Sequence, residues 1–135
     1  MAGWVLPTIL YIVILGAGGV TAKLALRTIS WEQLVLWVPV AYIVFSVLLV
    51  IFRGATFPHG VGGAWAAATA FAASSALILF FYALTKGEAS QVTPVTSAYP
   101  VVTVIGSALF LSEKLTLIRG LGTALVVAGV VLLSR

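Results

Sequence analysis

Cysteine is absent from the 135 residues, histidine occurs once, and acidic side chains occur three times. The first absence removes disulfides, thiolate chemistry and sulfur-ligated metal sites. With a single His59 and no carboxylate or second histidine near it, neither a metal cluster nor a His-based catalytic constellation can be assembled locally, so His59 reads as a solvated loop residue. No nucleophile–base pair and no phosphate-cradling motif occurs, because the Gly16 to Gly19 run lies within a helix and no Walker pattern follows it. An enzyme is therefore not expected, nor a cofactor. Charge is also scarce, at 7% of residues against about one-quarter in soluble domains. In its place stand hydrophobic residues, 62% of the chain, which makes this an all-α integral membrane protein with the lipid bilayer as its first partner. The net charge of +4 comes from seven basic residues that do not cluster, so they read as helix-end anchors and give no footprint for nucleic acid.

The few charges cut the chain into five spans, predicted at about 4–26, 32–52, 64–85, 90–112 and 116–134 within one transmembrane domain, 1–135. Barrel strands are excluded because the apolar runs are too long and do not alternate. Before Lys23 lie 22 uncharged residues in which Gly18 and Ala22 have the small-residue spacing that lets membrane helices approach closely. Trp31 and Trp37 lie near one end of the second span and Pro39 within it. Gly54, Pro58, Gly60, Gly62 and Gly63 mark a turn-rich loop. The last span carries a small row, Gly120, Ala124 and Ala128, suited to a dimer surface or to intramolecular packing.

The chain is organised around its fourth span. Lys86 to Glu88 opens onto 24 residues without a charge, Ala89 to Ser112, yet Thr93, Thr96, Pro100, Thr103 and Ser107 recur at spacings of three and four and share one helix face. Pro100 has no N–H, so the Thr96 carbonyl loses its helical partner and the span is expected to kink. A bent span at membrane depth can offer a carbonyl and neighbouring hydroxyls to a substrate; the hydroxyls can equally bond back to their own helix. Thr96, Tyr99, Pro100, Thr103 and Ser107 are the candidate substrate-binding residues, with Tyr82 as an amphipathic aromatic. Lys23 joins them as the one cation that a longer first helix would bring inside, the other reading being that it snorkels to the interface.

Several of these segments carry a family resemblance. Tyr82-Ala83-Leu84, Gly87-Glu88-Ala89-Ser90, Pro94, the exit Leu109-Phe110-Leu111-Ser112-Glu113, and Gly122 through Gly129-Val130-Val131-Leu132-Leu133 resemble the EamA domain of the drug/metabolite transporter superfamily. The resemblance is specific over residues 77–134 and loose before them, chiefly in Gly16 to Leu26. It implies a five-helix repeat and a transport function. Typical members hold two such repeats of inverted topology in one chain, whereas one is present here. Small multidrug resistance proteins are similar in size and basic balance, but they carry a glutamate within the first helix, which this chain lacks; Glu32, Glu88 and Glu113 all lie at helix ends.

Five spans put the termini on opposite sides. Arg53, Lys114 and Arg119 then fall on the N-terminal side, and Lys23, Arg27, Lys86 and Arg135 on the other, a balance of three against four that gives almost no orientation preference. Two oppositely inserted copies would rebuild the inverted pair that the resemblance implies. The expectation is a multi-pass protein of the plasma (inner) membrane, acting as a ten-helix antiparallel homodimer. It would move small metabolites, such as amino acids or similar amphipathic compounds, by alternating access. A non-transporting membrane subunit and a multidrug-resistance-like exporter are the alternatives.

Overall fold

Long apolar runs form the helices and the charged residues mark their ends. The computed structural model describes residues 3–114 and 116–133. It contains α1 (Val5–Ala25), α2 (Trp31–Arg53), α3 (Gly60–Lys86), α4 (Ala89–Thr96), α5 (Tyr99–Phe110) and α6 (Leu117–Leu133), and no strand among the described residues. α1, α2, α3 and the stretch Ala89–Phe110 are each long and apolar enough to cross a membrane. α6 has 17 residues, at the short end of what a bilayer core needs, about 17–25. Apolar helices of this length whose large side chains stay on the outside require lipid as solvent, so this is a multi-pass membrane protein.

The contacts divide the chain into two units, Met1–Lys86 and Gly87–Arg135. In the first, α3 packs against both α1 and α2. Its small core forms where Gly19 and Ala22 of α1 are buried together with Phe81 and Leu84 of α3, each pair on one helix face. The packing face is thus one residue round from the Gly18 position that spacing alone suggested: a side chain at Gly18 would meet open space. At the start of α2 a capping box satisfies two backbone donors. The Gln33 N–H donates to the Ser30 hydroxyl (3.3 Å) and the Ser30 N–H to the Gln33 side-chain oxygen (3.0 Å). The helix ends on Gly54, whose φ of 62° is the left-handed conformation that glycine adopts at least cost. The following loop folds closely onto the first turn of α3, where a Cβ on Gly63 would lie 2.5 Å from the Pro58 carbonyl oxygen.

In the second unit, α4 and α5 both pack against α6. Thr116 caps α6, its hydroxyl accepting from the Arg119 N–H at 3.3 Å. The small row Gly120, Ala124 and Ala128 is exposed, while Thr123 and Val130 on another face are half-buried.

Candidate functional site

The fourth apolar stretch does not run through as one helix. Ser97 and Ala98 separate α4 from α5, and Pro100 stands in the first turn of α5. Across the break the backbone tightens to three-residue hydrogen bonds, from Ala98 N–H to the Val95 carbonyl (3.1 Å) and from Val101 N–H to the Ala98 carbonyl (3.0 Å). Such tight turns replace the α-ladder where a proline has removed a donor. The Thr93 carbonyl keeps its helical bond from the Ser97 N–H (3.1 Å) and also accepts from the Ser97 hydroxyl (2.8 Å) and the Thr96 hydroxyl (2.9 Å).

Further along the same unit, Thr103 donates to the Tyr99 carbonyl (3.4 Å) and Ser107 to the Val104 carbonyl (3.1 Å). The hydroxyl stripe therefore spends its protons on its own helix. Its oxygens keep acceptor capacity, and Thr96, Tyr99 and Thr103 remain exposed, so the stripe presents acceptors and an aromatic ring.

Thr103 and Ser107 also line a pocket of about 320 Å³ whose other walls include Glu113, Lys114 and Arg119. Two features bring these residues together. Ser112 adopts a left-handed φ of 55°, unusual for a residue with a side chain, and α5 closes with the Glu113 N–H donating to the Ser107 carbonyl at 3.3 Å. One turn into α6, the Arg119 guanidinium reaches back to the Lys114 carbonyl at 3.4 Å.

The remaining two candidates belong to the first unit. Lys23 donates from its ammonium to the Leu84 carbonyl at 2.6 Å, in the last turn of α3 where carbonyls lack helical partners. Tyr82 packs edge-to-face on Trp31 at 5.7 Å between ring centroids and carries the Lys86 ammonium 5.4 Å above its ring. Between α2 and α3 lies an open groove of about 1160 Å³, almost wholly apolar, in which Tyr42 and Ser46 of α2 face Thr69 and Ser74 of α3. Among the described residues no cluster could hold a metal ion.

A family model described as the EamA-like transporter family matches residues 2–135. The chain belongs to this family. Its members are described as transporters. Over 57 residues it is 49% identical to an uncharacterized protein of Methanocaldococcus jannaschii, a match covering 42% of each chain. Over 68 residues it is 37% identical to an uncharacterized transporter encoded in the cobO 3′ region of a Sinorhizobium species, covering 50% of this chain and 48% of that one. The matched stretches thus span less than half the length of either relative. No solved structure shows a significant match.

Three features of this EamA-like chain escaped sequence reasoning. The groove depends on how α2 and α3 diverge, which no local pattern encodes. Lys114 and Arg119 were legible only as interfacial anchors, because their return toward Thr103 and Ser107 depends on a left-handed serine, and serine gives almost no sequence signal for that conformation. The bond from Lys23 to Leu84 joins residues 61 positions apart.

Proposed function

We propose that this EamA-like chain is one half of a carrier for small metabolites, amino acids or similar amphipathic compounds, in the plasma membrane. Two copies inserted in opposite senses would supply the inverted repeats between which access alternates. The observation that carries the reading is the broken span: a helix interrupted at Ser97–Ala98, with Pro100 beyond it and exposed Thr96, Tyr99 and Thr103 around it, is the kind of irregular backbone that a membrane protein tolerates only inside protein or beside a polar cavity. In this reading Thr96, Tyr99, Pro100, Thr103 and Ser107 line the substrate path. Their acceptor oxygens suit the ammonium or amide donors of such compounds. The exposed Gly120, Ala124, Ala128 row supports a helix-to-helix dimer contact.

The test is counterflow in proteoliposomes holding the purified protein, with a panel of labelled amino acids. The reading expects accumulation of at least one of them that Pro100→Ala abolishes while leaving the protein folded. Absence of counterflow for the whole panel, with correctly folded protein, contradicts it.

One observation favours a second reading. Thr96, Ser97, Thr103 and Ser107 all donate within their own helix, as they would in a membrane subunit that stabilises a partner without transporting. Co-purification of a different membrane protein in fixed ratio, with no counterflow, would favour that subunit.

A further inference from the structure

The pocket between the end of α5 and the start of α6 has a chemistry that the apolar groove lacks. Lys114 and Arg119 both line it, with the hydroxyl-bearing Thr103 and Ser107 on the α5 wall. The Arg119 backbone N–H is held by the Thr116 hydroxyl and its guanidinium by the Lys114 carbonyl, and among the described residues no ion pair joins it to Glu113. The Arg119 guanidinium keeps further donors in a planar fork that matches the paired oxygens of a carboxylate or phosphate. Lys114 supplies a second positive charge, so that with Glu113 the lining keeps a net charge of +1 (two cations, one anion). The volume, about 320 Å³, is at the small end of ligand pockets, enough for a compact anionic group and little more. The turn joins two membrane-spanning stretches, so it lies at the bilayer interface, where both soluble oxyanions and lipid phosphates are present.

We infer that Arg119 and Lys114, with Thr103 and Ser107 beside them, form an oxyanion-binding site at the α5–α6 turn of this chain. The guanidinium makes the two-point contact and the ammonium adds charge, while Thr103 and Ser107, whose protons go to their own helix, only wall the site. Left-handed Ser112 sets the turn that brings Lys114 over the end of α5. A lipid headgroup phosphate and a soluble phosphate or carboxylate share this chemistry, and the site is defined by it whichever source fills it. Nothing in the inference requires transport, so loss of the transporter reading would leave it standing.

The test uses full-length protein in maltoside micelles stripped of phospholipid. Its melting temperature is followed during titration with inorganic phosphate at constant ionic strength and, in a second arm, with phosphatidylglycerol in mixed micelles. A ligand that binds only the folded state raises the melting temperature saturably. The expected result is a saturable rise in at least one arm. Half-saturation should move at least tenfold higher in Arg119→Gln, and less in Lys114→Gln, which removes a charge but leaves the backbone carbonyl that holds Arg119. Arg119→Lys, with charge but no fork, should fall between wild type and Arg119→Gln. A response to phosphate identifies a soluble oxyanion, and a response confined to phosphatidylglycerol identifies the lipid headgroup. No saturable response in either arm, or a response that neither Arg119→Gln nor Lys114→Gln shifts, overturns the site. If Arg119→Gln does not fold, Lys114→Gln and Arg119→Lys decide.

Discussion

Lys23, in the last turn of α1, donates its ammonium to the carbonyl of Leu84 in the last turn of α3, 2.6 Å away. Two helix C-termini converge there, and a cation at that end satisfies an orphan carbonyl while opposing both helix dipoles. Leu84 itself is fully buried, so the bond closes the most tightly packed part of the first unit among the described residues.

Lys23→Met should therefore destabilise the protein by about 1.5–3 kcal/mol, the usual worth of a hydrogen bond from a charged group. Lys23→Arg should recover part of that. Thermal unfolding in detergent, with exchange protection of the α3 C-terminus as a second readout, checks this. Equal stability of wild type and Lys23→Met would make the side chain a mere interfacial anchor.

Ser30→Ala removes the hydroxyl half of the capping box with Gln33. The expected loss is about 1 kcal/mol, confined to fraying of the first turn of α2, and Ser30→Asp should restore most of it. Amide exchange at Gln33 and Leu34 reads the fraying directly.

Gly63→Ala places a methyl group 2.5 Å from the Pro58 carbonyl oxygen, closer than atoms tolerate, so the loop before α3 must shift. About 1–3 kcal/mol of destabilisation is expected. Gly62→Ala, one residue away and facing open space, should be neutral or stabilising, which makes the pair an internal control in one melting experiment.

These contacts show how far the sequence could be read. The helical class, its membrane setting and the family were legible because composition, charge spacing and the run from Tyr82 to Leu133 all point the same way. Pro100 announced an interrupted span, since a missing N–H can be read directly from the residue type. Where the interruption is absorbed could not be read: Ser97 and Ala98 take it up through tight turns, and the Thr96 and Ser97 hydroxyls turn back to the Thr93 carbonyl. The partners of Lys23 and Arg119 were likewise hidden, because each is set by tertiary approach and not by local spacing. The seven substrate-binding candidates stay a proposal, five of them in the second unit and Lys23 and Tyr82 in the first.

Pro100→Ala restores an N–H that can reach the Thr96 carbonyl and should join α4 to α5. A gain of about 0.5–1.5 kcal/mol from the added bond is expected, together with loss of counterflow by at least tenfold. Slower exchange at Ser97–Val101 without any change in transport would separate the break from the mechanism.

If oppositely inserted copies build the carrier, as proposed, both topologies must coexist in one membrane. The natural sequence has no cysteine, so Thr28→Cys in the α1–α2 turn and His59→Cys in the α2–α3 loop give single probes at opposite ends of α2 without altering the lysine and arginine balance. Intact cells would be labelled with a membrane-impermeant thiol reagent, and the total thiol counted after lysis. Each position should be labelled in about half of the molecules, as equal insertion in both senses requires given the balanced loop charges. Complete labelling of one position and none of the other would contradict the proposal, leaving a single orientation and no antiparallel pair.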